Sequence, residues 1–201
     1  MKLKLLAHPK RLVLLVLFNL FASLFIIGQN TYALRSVNMK ILGTSTMHDW
    51  TVLVSKASGS GTITLESNKL KDIKALQLII PVKELKNEKK SNKMDEKIYE
   101  SLKAKSFPDI NFKLSRVVSL PPGGNDNSLT AIGIITIAGV SREETMKVQT
   151  KVIENRLVSF SGSLKIKMTN YKIKPPTAMM GMMTTGDDVT INFDCTMIKN
   201  N

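Results

Sequence analysis

The sequence predicts an all-β domain, in which an antiparallel sheet closes into a barrel or folds as a sandwich, together with one amphipathic helix. Apolar and polar residues alternate along most of the chain, as they do in strands that bury one face. Tracts rich in Gly, Pro, Asn and Ser separate these alternating runs. One run has helical spacing instead.

The N-terminus differs in kind from the rest of the chain. A basic stretch with Lys2, Lys4, Lys10 and Arg11 precedes an almost uninterrupted apolar run from Leu12 to Ile27. A polar tract then ends on the small residue Ala33. This order predicts a secretory signal peptide over residues 1–33, and an uncleaved membrane anchor is the alternative. We therefore expect an exported protein, periplasmic or extracellular, whose single domain spans residues 34–201.

The remainder of the chain is basic and contains one cysteine, Cys195. Without the four basic residues of the leader, 25 Lys and Arg stand against 16 Asp and Glu, a net charge of +9. That charge favours contact with an anionic membrane surface. Nucleic acid is a poor candidate, because Trp50 is the only tryptophan and no basic and aromatic platform is present. One cysteine also excludes an intrachain disulfide.

The last alternating run, DDVTINFDCTMI, is the clearest predicted strand. It places Val189, Ile191, Phe193, Cys195 and Met197 on one face. Comparable alternation occurs over residues 37–42, 49–56, 61–66, 110–117, 144–152 and 156–169. Two further runs, 75–82 and 129–139, are apolar on both faces, which predicts the most enclosed strands.

The predicted helix lies in the run NEKKSNKMDEKIYESLKAKSF. Met94, Ile98 and Leu102 recur among lysines and glutamates at a spacing of four, and Pro108 follows the run. We expect this helix to lie across one mouth of the barrel. The chain shows no repeat, linker or low-complexity tract that would divide the domain.

No set of catalytic or metal-binding residues emerges from the sequence. His48 is the only histidine after the leader, and Cys195 lies on the apolar face of its strand, where a cysteine is usually an inert small hydrophobe. A hydrolase or isomerase that uses His48 and Cys195 is therefore a minor alternative. A zinc site lacks ligands, so we expect no metal and no cofactor.

The stretch MMGMM contributes four methionines, which follow two prolines. Copper is disfavoured, because no histidine or acid lies between Pro175 and Gly186. Two interpretations stay open: the methionines fill the core, or they form an adaptable apolar flap over a ligand site. These residues are Met179, Met180, Met182 and Met183.

Several stretches together resemble the YceI-like family of polyisoprenoid-binding proteins, and their order covers nearly all of residues 36–198. The stretch STMHDW resembles the opening of the family's first hairpin, and the glycine-punctuated run SKASGSGTITLE follows it. The helix and the strand after it match through Asp95, Leu102, Phe107, Pro108, Ile110 and Phe112. The later turns match through Gly139, Val140, Ser141, Pro175, Pro176, Gly181, Gly186, Asp187, Asp188 and Val189.

This resemblance implies a lipocalin-like antiparallel β-barrel of about eight strands, whose interior holds an isoprenoid or another long-chain lipid. Related sequences often have phenylalanine around the glycine of MMGMM, so the identity of the ligand is not carried over. Strand parity suggests the residues that would form the wall: Leu76, Leu78, Ile80, Phe112, Phe160, Leu164, Ile191 and Phe193. His48 and Trp50 are candidates for the rim.

The sequence therefore favours an exported, non-enzymatic protein that binds or carries an isoprenoid-type or other amphiphilic lipid. The alternative from another class is a structural or stress-related interaction module, in which the protein's own side chains fill the barrel. The oligomeric state is left open, and a homodimer is one option.

Overall fold

The computed structural model describes residues 30–120 and 126–200. The predicted leader lies outside the described residues, except for positions 30–33. The described chain forms one α-helix, α1 (Asn92–Ser101), and three short 3-10 helices, Val82–Glu84, Met168–Tyr171 and Met179–Gly181. Its strands are β1 (Thr31–Ser45), β2 (Trp50–Val54), β3 (Ser58–Glu66), β4 (Lys69–Pro81), β5 (Leu85–Asn87), β6 (Asp109–Ser119), β7 (Asp126–Ile137), β8 (Val140–Ile153), β9 (Leu157–Lys167), β10 (Thr177–Ala178) and β11 (Met183–Lys199).

Eight of these strands form a closed antiparallel barrel. Its order is β1, β3, β4, β6, β7, β8, β9 and β11, and β11 pairs with β1 to complete the circle. The closing register runs from Tyr32 opposite Lys199 to Ser45 opposite Thr185. The predicted all-β class and the barrel are thereby confirmed, and closure removes the unpaired edges that a sandwich would keep.

β1 changes partners along its length. Residues 31–33 pair with β3, whereas residues 39–43 pair with β2. β2 in turn pairs with β5, so these two short strands form a flap beside β1. β1, β5 and β9 run in the same direction. We call the end of the barrel where these three strands finish, beside α1, the open end.

The alternation predicted for the last strand holds in β11. Val189, Cys195 and Met197 are buried and face inwards. The predicted enclosure holds only in part for β7, where Leu129, Ala131, Ile132, Ile135 and Ile137 are buried but Ile134 on the outer face is 39% exposed. It does not hold for β4, where Leu76 and Leu78 are half-buried and Ile79 is 37% exposed. The reason is that Ile79 lies on the outer face, whereas Leu76 and Leu78 border an open cavity.

Helix α1 is fastened to β5 by a polar cluster. The side chain of Ser91 caps the helix by accepting from the backbone N–H of Met94 at 3.4 Å. Buried Asp95 accepts from the backbone N–H of Asn87 at 2.7 Å and pairs with Lys86 at 3.4 Å. The ring of Tyr99 also contacts the Lys86 ammonium. Within the described part of the chain, no helix is long and apolar enough to span a membrane.

The end of the barrel opposite α1 is packed with buried side chains. Tyr32, at 1% exposure, lies there beside Ile63, Leu70, Val152 and Val158. Burial raises the pKa of the Tyr32 phenol. Because Tyr32 belongs to β1, the strand begins before the boundary at Ala33 that the sequence suggests.

Candidate ligand-binding cavity

The barrel encloses a cavity of about 380 Å³. Its volume falls in the range of sites that bind small molecules and cofactors. Seven of the eight barrel strands, all but β3, contribute inward-facing residues to the lining. β2, β5 and α1 contribute further residues. The lining is overwhelmingly aliphatic and aromatic, so the cavity suits an apolar guest.

All eight residues that strand parity placed in the wall line this cavity. They come from four strands: Leu76, Leu78 and Ile80 from β4, Phe112 from β6, Phe160 and Leu164 from β9, and Ile191 and Phe193 from β11. Adjacent strands carry them at matching heights; for example, Ile191 is paired with Leu164, and Leu78 with Phe112. Their contact with a ligand remains a prediction.

Three aromatic rings in the lining, those of Trp50, Phe112 and Phe193, lie against glycines of neighbouring strands. Trp50 is directly opposite Gly43, and Phe193 is directly opposite Gly162. A Cβ atom added to either glycine would overlap or press on the ring, at 2.8 Å from Phe193 Cζ in the second case. Each glycine therefore lets a ring lie flat on the sheet, which keeps the ring out of the middle of the cavity.

The cavity opens at the end where α1 lies. Its polar and exposed lining residues are grouped there, at strand ends, in turns and on the helix. They include Ser45, His48, Asn87, Met94, Lys97, Ser101, Thr177, Thr184 and Thr185. At the other end the lining consists of buried apolar residues such as Leu129, Val148 and Met197. For the residues that the structure describes, the geometry is that of a pocket with one mouth.

His48 and Trp50 lie at this mouth, as the sequence suggests. The hydroxyl of Ser45 donates to the His48 carbonyl at 2.7 Å and accepts from the His48 backbone N–H at 3.2 Å. Imidazole Nδ1 lies 2.9 Å from the carbonyl oxygen of Asp49, which can only accept, so Nδ1 carries the proton in this contact. Trp50 Nε1 donates to the Thr44 carbonyl at 3.0 Å. These bonds hold the loop in a fixed shape.

The four methionines of MMGMM are not equivalent. Met183 begins β11 and lines the cavity. Met180 and Met182 do not, because Met180 is fully exposed and Met182 is 73% exposed. The chain reverses between β10 and β11 through left-handed residues, with φ of 55° at Met180 and 91° at Gly181, and this turn directs the two side chains outwards. The side chain of Met179 lies outside what the structure describes.

Cys195 lines the cavity as a protonated thiol. Burial, with a smaller contribution from Asp194, raises its pKa to about 11. At neutral pH such a thiol is a poor nucleophile. His48 is exposed at the mouth, where its ring is engaged with Asp49. No cluster of three or more potential metal-binding side chains occurs among residues 30–120 and 126–200.

Sequence reasoning missed the contribution of α1 to the site. Met94, Lys97, Ile98, Ser101 and Leu102 face the cavity along one stripe of the helix. The apolar members of this stripe were visible as helical spacing, but the spacing indicates only a buried face and not what the face borders. Nothing in the sequence marks Lys97 as a residue of the cavity, since a lysine in a charged helix is usually expected to face solvent.

Comparisons with known proteins agree with this geometry. The domain model described as "YceI-like domain" matches residues 33–197. A polyisoprenoid binding domain from Saccharophagus degradans, implicated in plant cell wall breakdown, is 12% identical, with a TM-score of 0.64 over 84% of this chain and 98% of that one. BcnA of Burkholderia cenocepacia is 20% identical, with a TM-score of 0.58 over 79% of this chain and 95% of that one.

A third similar structure is the YCEI protein of Campylobacter jejuni, at 21% identity and a TM-score of 0.52 over 73% of this chain and 86% of that one. No curated protein matches the chain. At these identities the solved structures establish the fold alone, whereas the domain model covers almost the whole barrel. The barrel, its single mouth and this match lead to one conclusion: the chain belongs to the YceI-like family.

Proposed function

We propose that this protein binds a long-chain lipid in its barrel and carries it outside the cytoplasm. The observation that supports the proposal most strongly is the apolar cavity of about 380 Å³ with its mouth at one end. A barrel filled by its own side chains, as in the alternative of a purely structural module, would leave no such space.

The shape of the cavity suits an elongated guest. Thr185 at the mouth and Met197 near the closed end both line the cavity. Because β11 is tilted relative to the barrel axis, the part of the strand between these two residues spans roughly 30 Å along that axis. Each buried methylene contributes about 0.8 kcal/mol, so a chain that fills this depth binds tightly without many polar contacts. An isoprenoid is the proposed class, and the name of the Saccharophagus degradans domain points the same way.

The rim also has features that suit a membrane surface. Met47, Met180 and Met182 are exposed at the open end. The loop with Met47 is joined to the start of β11 by two hydrogen bonds between Thr46 and Thr184, at 3.0 and 3.2 Å. We include in the proposal that this apolar rim, helped by the net positive charge, contacts anionic lipid headgroups during exchange of the ligand.

Export belongs to the proposal on the strength of the basic and apolar leader. The burial of Tyr32 favours a cleavage site before Thr31 over one after Ala33, since a cut after Ala33 would remove Tyr32 from the core. N-terminal sequencing of the protein from its own host, combined with cell fractionation, tests both points. An intact N-terminus in the cytoplasmic fraction would contradict export.

A non-enzymatic role is the last part of the proposal. The raised pKa of Cys195 and the engagement of His48 with Asp49 speak against a thiol-based hydrolase. If His48→Ala abolished a turnover and left lipid binding intact, the enzyme alternative would replace this part.

The proposal is tested by extracting the protein, purified from its own host, with organic solvent and identifying the extract by mass spectrometry. Ala131→Phe adds a ring to an inward position of β7, whereas Thr130→Phe adds the same ring to the outer face of that strand. We expect one dominant lipid with the wild type and with Thr130→Phe, and a large loss with Ala131→Phe. Equal amounts in all three, or none in any, would contradict a ligand inside the barrel.

A further inference from the structure

The stripe of α1 that faces the cavity contains one charged residue. Met94, Ile98 and Leu102 are apolar, Ser101 is small and polar, and the half-buried Lys97 lies among them. A helix that only covers an apolar cavity has no need of a charge on that stripe. The position of Lys97 at the mouth therefore calls for an explanation.

The surroundings of Lys97 leave its charge without an acidic partner. No aspartate or glutamate in the described ranges lines the cavity. Within those ranges Lys97 forms no ion pair, although Glu100 follows one turn later on the same helix. Asp95, two residues before Lys97, is occupied by Asn87 and Lys86, and the exposed Glu96 beside it forms no ion pair in the described ranges.

Polar groups that can donate hydrogen bonds accompany Lys97 at the mouth. Ser101, Thr184 and Thr185 are among the residues that line the cavity at this end. A cation with hydroxyl donors beside an otherwise apolar pocket is suited to an amphiphile whose charged end stays at the entrance.

Resting on the function proposed above, we infer that the ligand carries an anionic head group, a phosphate or a carboxylate, and that Lys97 binds it at the mouth. The chain of the ligand lies in the barrel, and its head group reaches no deeper than α1. A charge-assisted hydrogen bond of this kind favours the charged ligand over the matching alcohol by about tenfold or more.

Four probes in two matched pairs test this inference on the full protein after its own lipid has been extracted: farnesyl phosphate against farnesol, and palmitate against hexadecanol. Trp50, the only tryptophan, lines the cavity, so its fluorescence reports binding. We expect each anion to bind at least tenfold more tightly than its alcohol. The stronger of the two anions then identifies the head group as phosphate or carboxylate.

Substitutions on α1 test whether Lys97 causes the preference for anions over the matching alcohols. Lys97→Met keeps the apolar stem and should reduce the binding of the anions about tenfold while the alcohols bind as before; Lys97→Arg should retain the preference. Lys93→Met, at an exposed position of the same helix, is the matched control.

If the wild type bound anions and alcohols equally, or if Lys97→Met weakened both alike, the inference would be overturned while lipid binding stood. In that case Lys97 would only cover the apolar stripe with its stem. If none of the four probes bound, the proposed function would fall together with the inference.

Discussion

The ring of Phe112 lies over Gly133 of the neighbouring strand, with no room for a side chain between them. A Cβ atom on Gly133 would overlap the ring, with Cζ only 2.7 Å away. Phe112 lines the cavity, so the absence of a side chain on β7 determines how far this ring projects into the space for the ligand. The volume of the cavity thus depends on a residue that contributes no side chain to its wall.

Gly133→Ala should reduce lipid binding more than it reduces stability. The new methyl group pushes the Phe112 ring inwards, where it occupies space needed by the ligand, and overpacking of this kind costs about 1–3 kcal/mol. Titration by Trp50 fluorescence and urea unfolding measure the two effects. Ser128→Ala, at an exposed position of the same strand, should change neither. Unchanged binding in Gly133→Ala would show that the position of the ring does not limit the site.

Cys195 should react slowly with iodoacetamide and should be protected by bound lipid. With a pKa of about 11, roughly one thiol in a thousand is ionised at pH 8, and the rate should rise about tenfold per pH unit between pH 8 and 10. Mass spectrometry of the intact protein follows the modification. Lipid-free protein should react faster than loaded protein at every pH, because Cys195 lines the cavity. Equal rates would mean that the ligand does not reach Cys195.

The methionines should separate into two functional groups. Met183→Ser should weaken lipid binding in solution, because Met183 lines the cavity. The double variant Met180→Ser, Met182→Ser should bind lipid normally in solution but take it up more slowly from anionic vesicles, since both side chains are exposed. Uptake from neutral vesicles provides the comparison. If the double variant matched the wild type with anionic vesicles, the proposed membrane contact of the rim would be abandoned.

Tyr32→Ala should destabilise the barrel by about 3–5 kcal/mol, as removal of a buried aromatic ring typically does. Urea unfolding measures this change. Ser36→Ala is the control, because this side chain of the same strand is exposed. A chain that begins at Leu34 should lose at least as much stability as Tyr32→Ala. Wild-type stability in that shorter chain would support a domain boundary after Ala33.

Asp95→Ala should loosen α1 while leaving the barrel intact. The substitution leaves the buried N–H of Asn87 without its acceptor, which costs about 1–3 kcal/mol. Hydrogen exchange should quicken in α1 and β5 and stay unchanged in β7 and β8. Glu96→Ala, at an exposed position of the helix, provides the matched control. Faster exchange throughout the barrel would instead make Asp95 part of the global fold.

The sequence predicts the wall of the cavity well because a single periodicity governs it. From Leu76 to Ile80 in β4, and in β9 and the second half of β11, every second residue faces inwards, so Leu76, Leu164 and Ile191 could be placed by parity alone. Earlier in β4 the alternation is broken, because Ile73 also lines the cavity across a register shift against β3. Parity is less informative in β1, where an irregularity between Leu34 and Ser36 shifts the register against β11. Nothing in the local pattern announces such a bulge.

The mouth could not be predicted in the same way, because it is assembled from segments far apart in the sequence. Apolarity alone could not tell Met183 from Met182, which face opposite ways because of a left-handed turn at Met180 and Gly181. Lys97 could not be recognised either, since its meaning depends on where α1 comes to lie. Packing, and not residue type, decides these cases.

Among the described residues, the packed end around Tyr32 and Val158 closes the cavity opposite its mouth. If the proposed function is right, a lipid would enter tail first and leave head first through the same mouth, so one molecule would have to depart before another could enter. Donor and acceptor would then have to approach the same face of the protein, one after the other. The proposed carrier would thus work as a shuttle between two stations and not as a conduit that joins them.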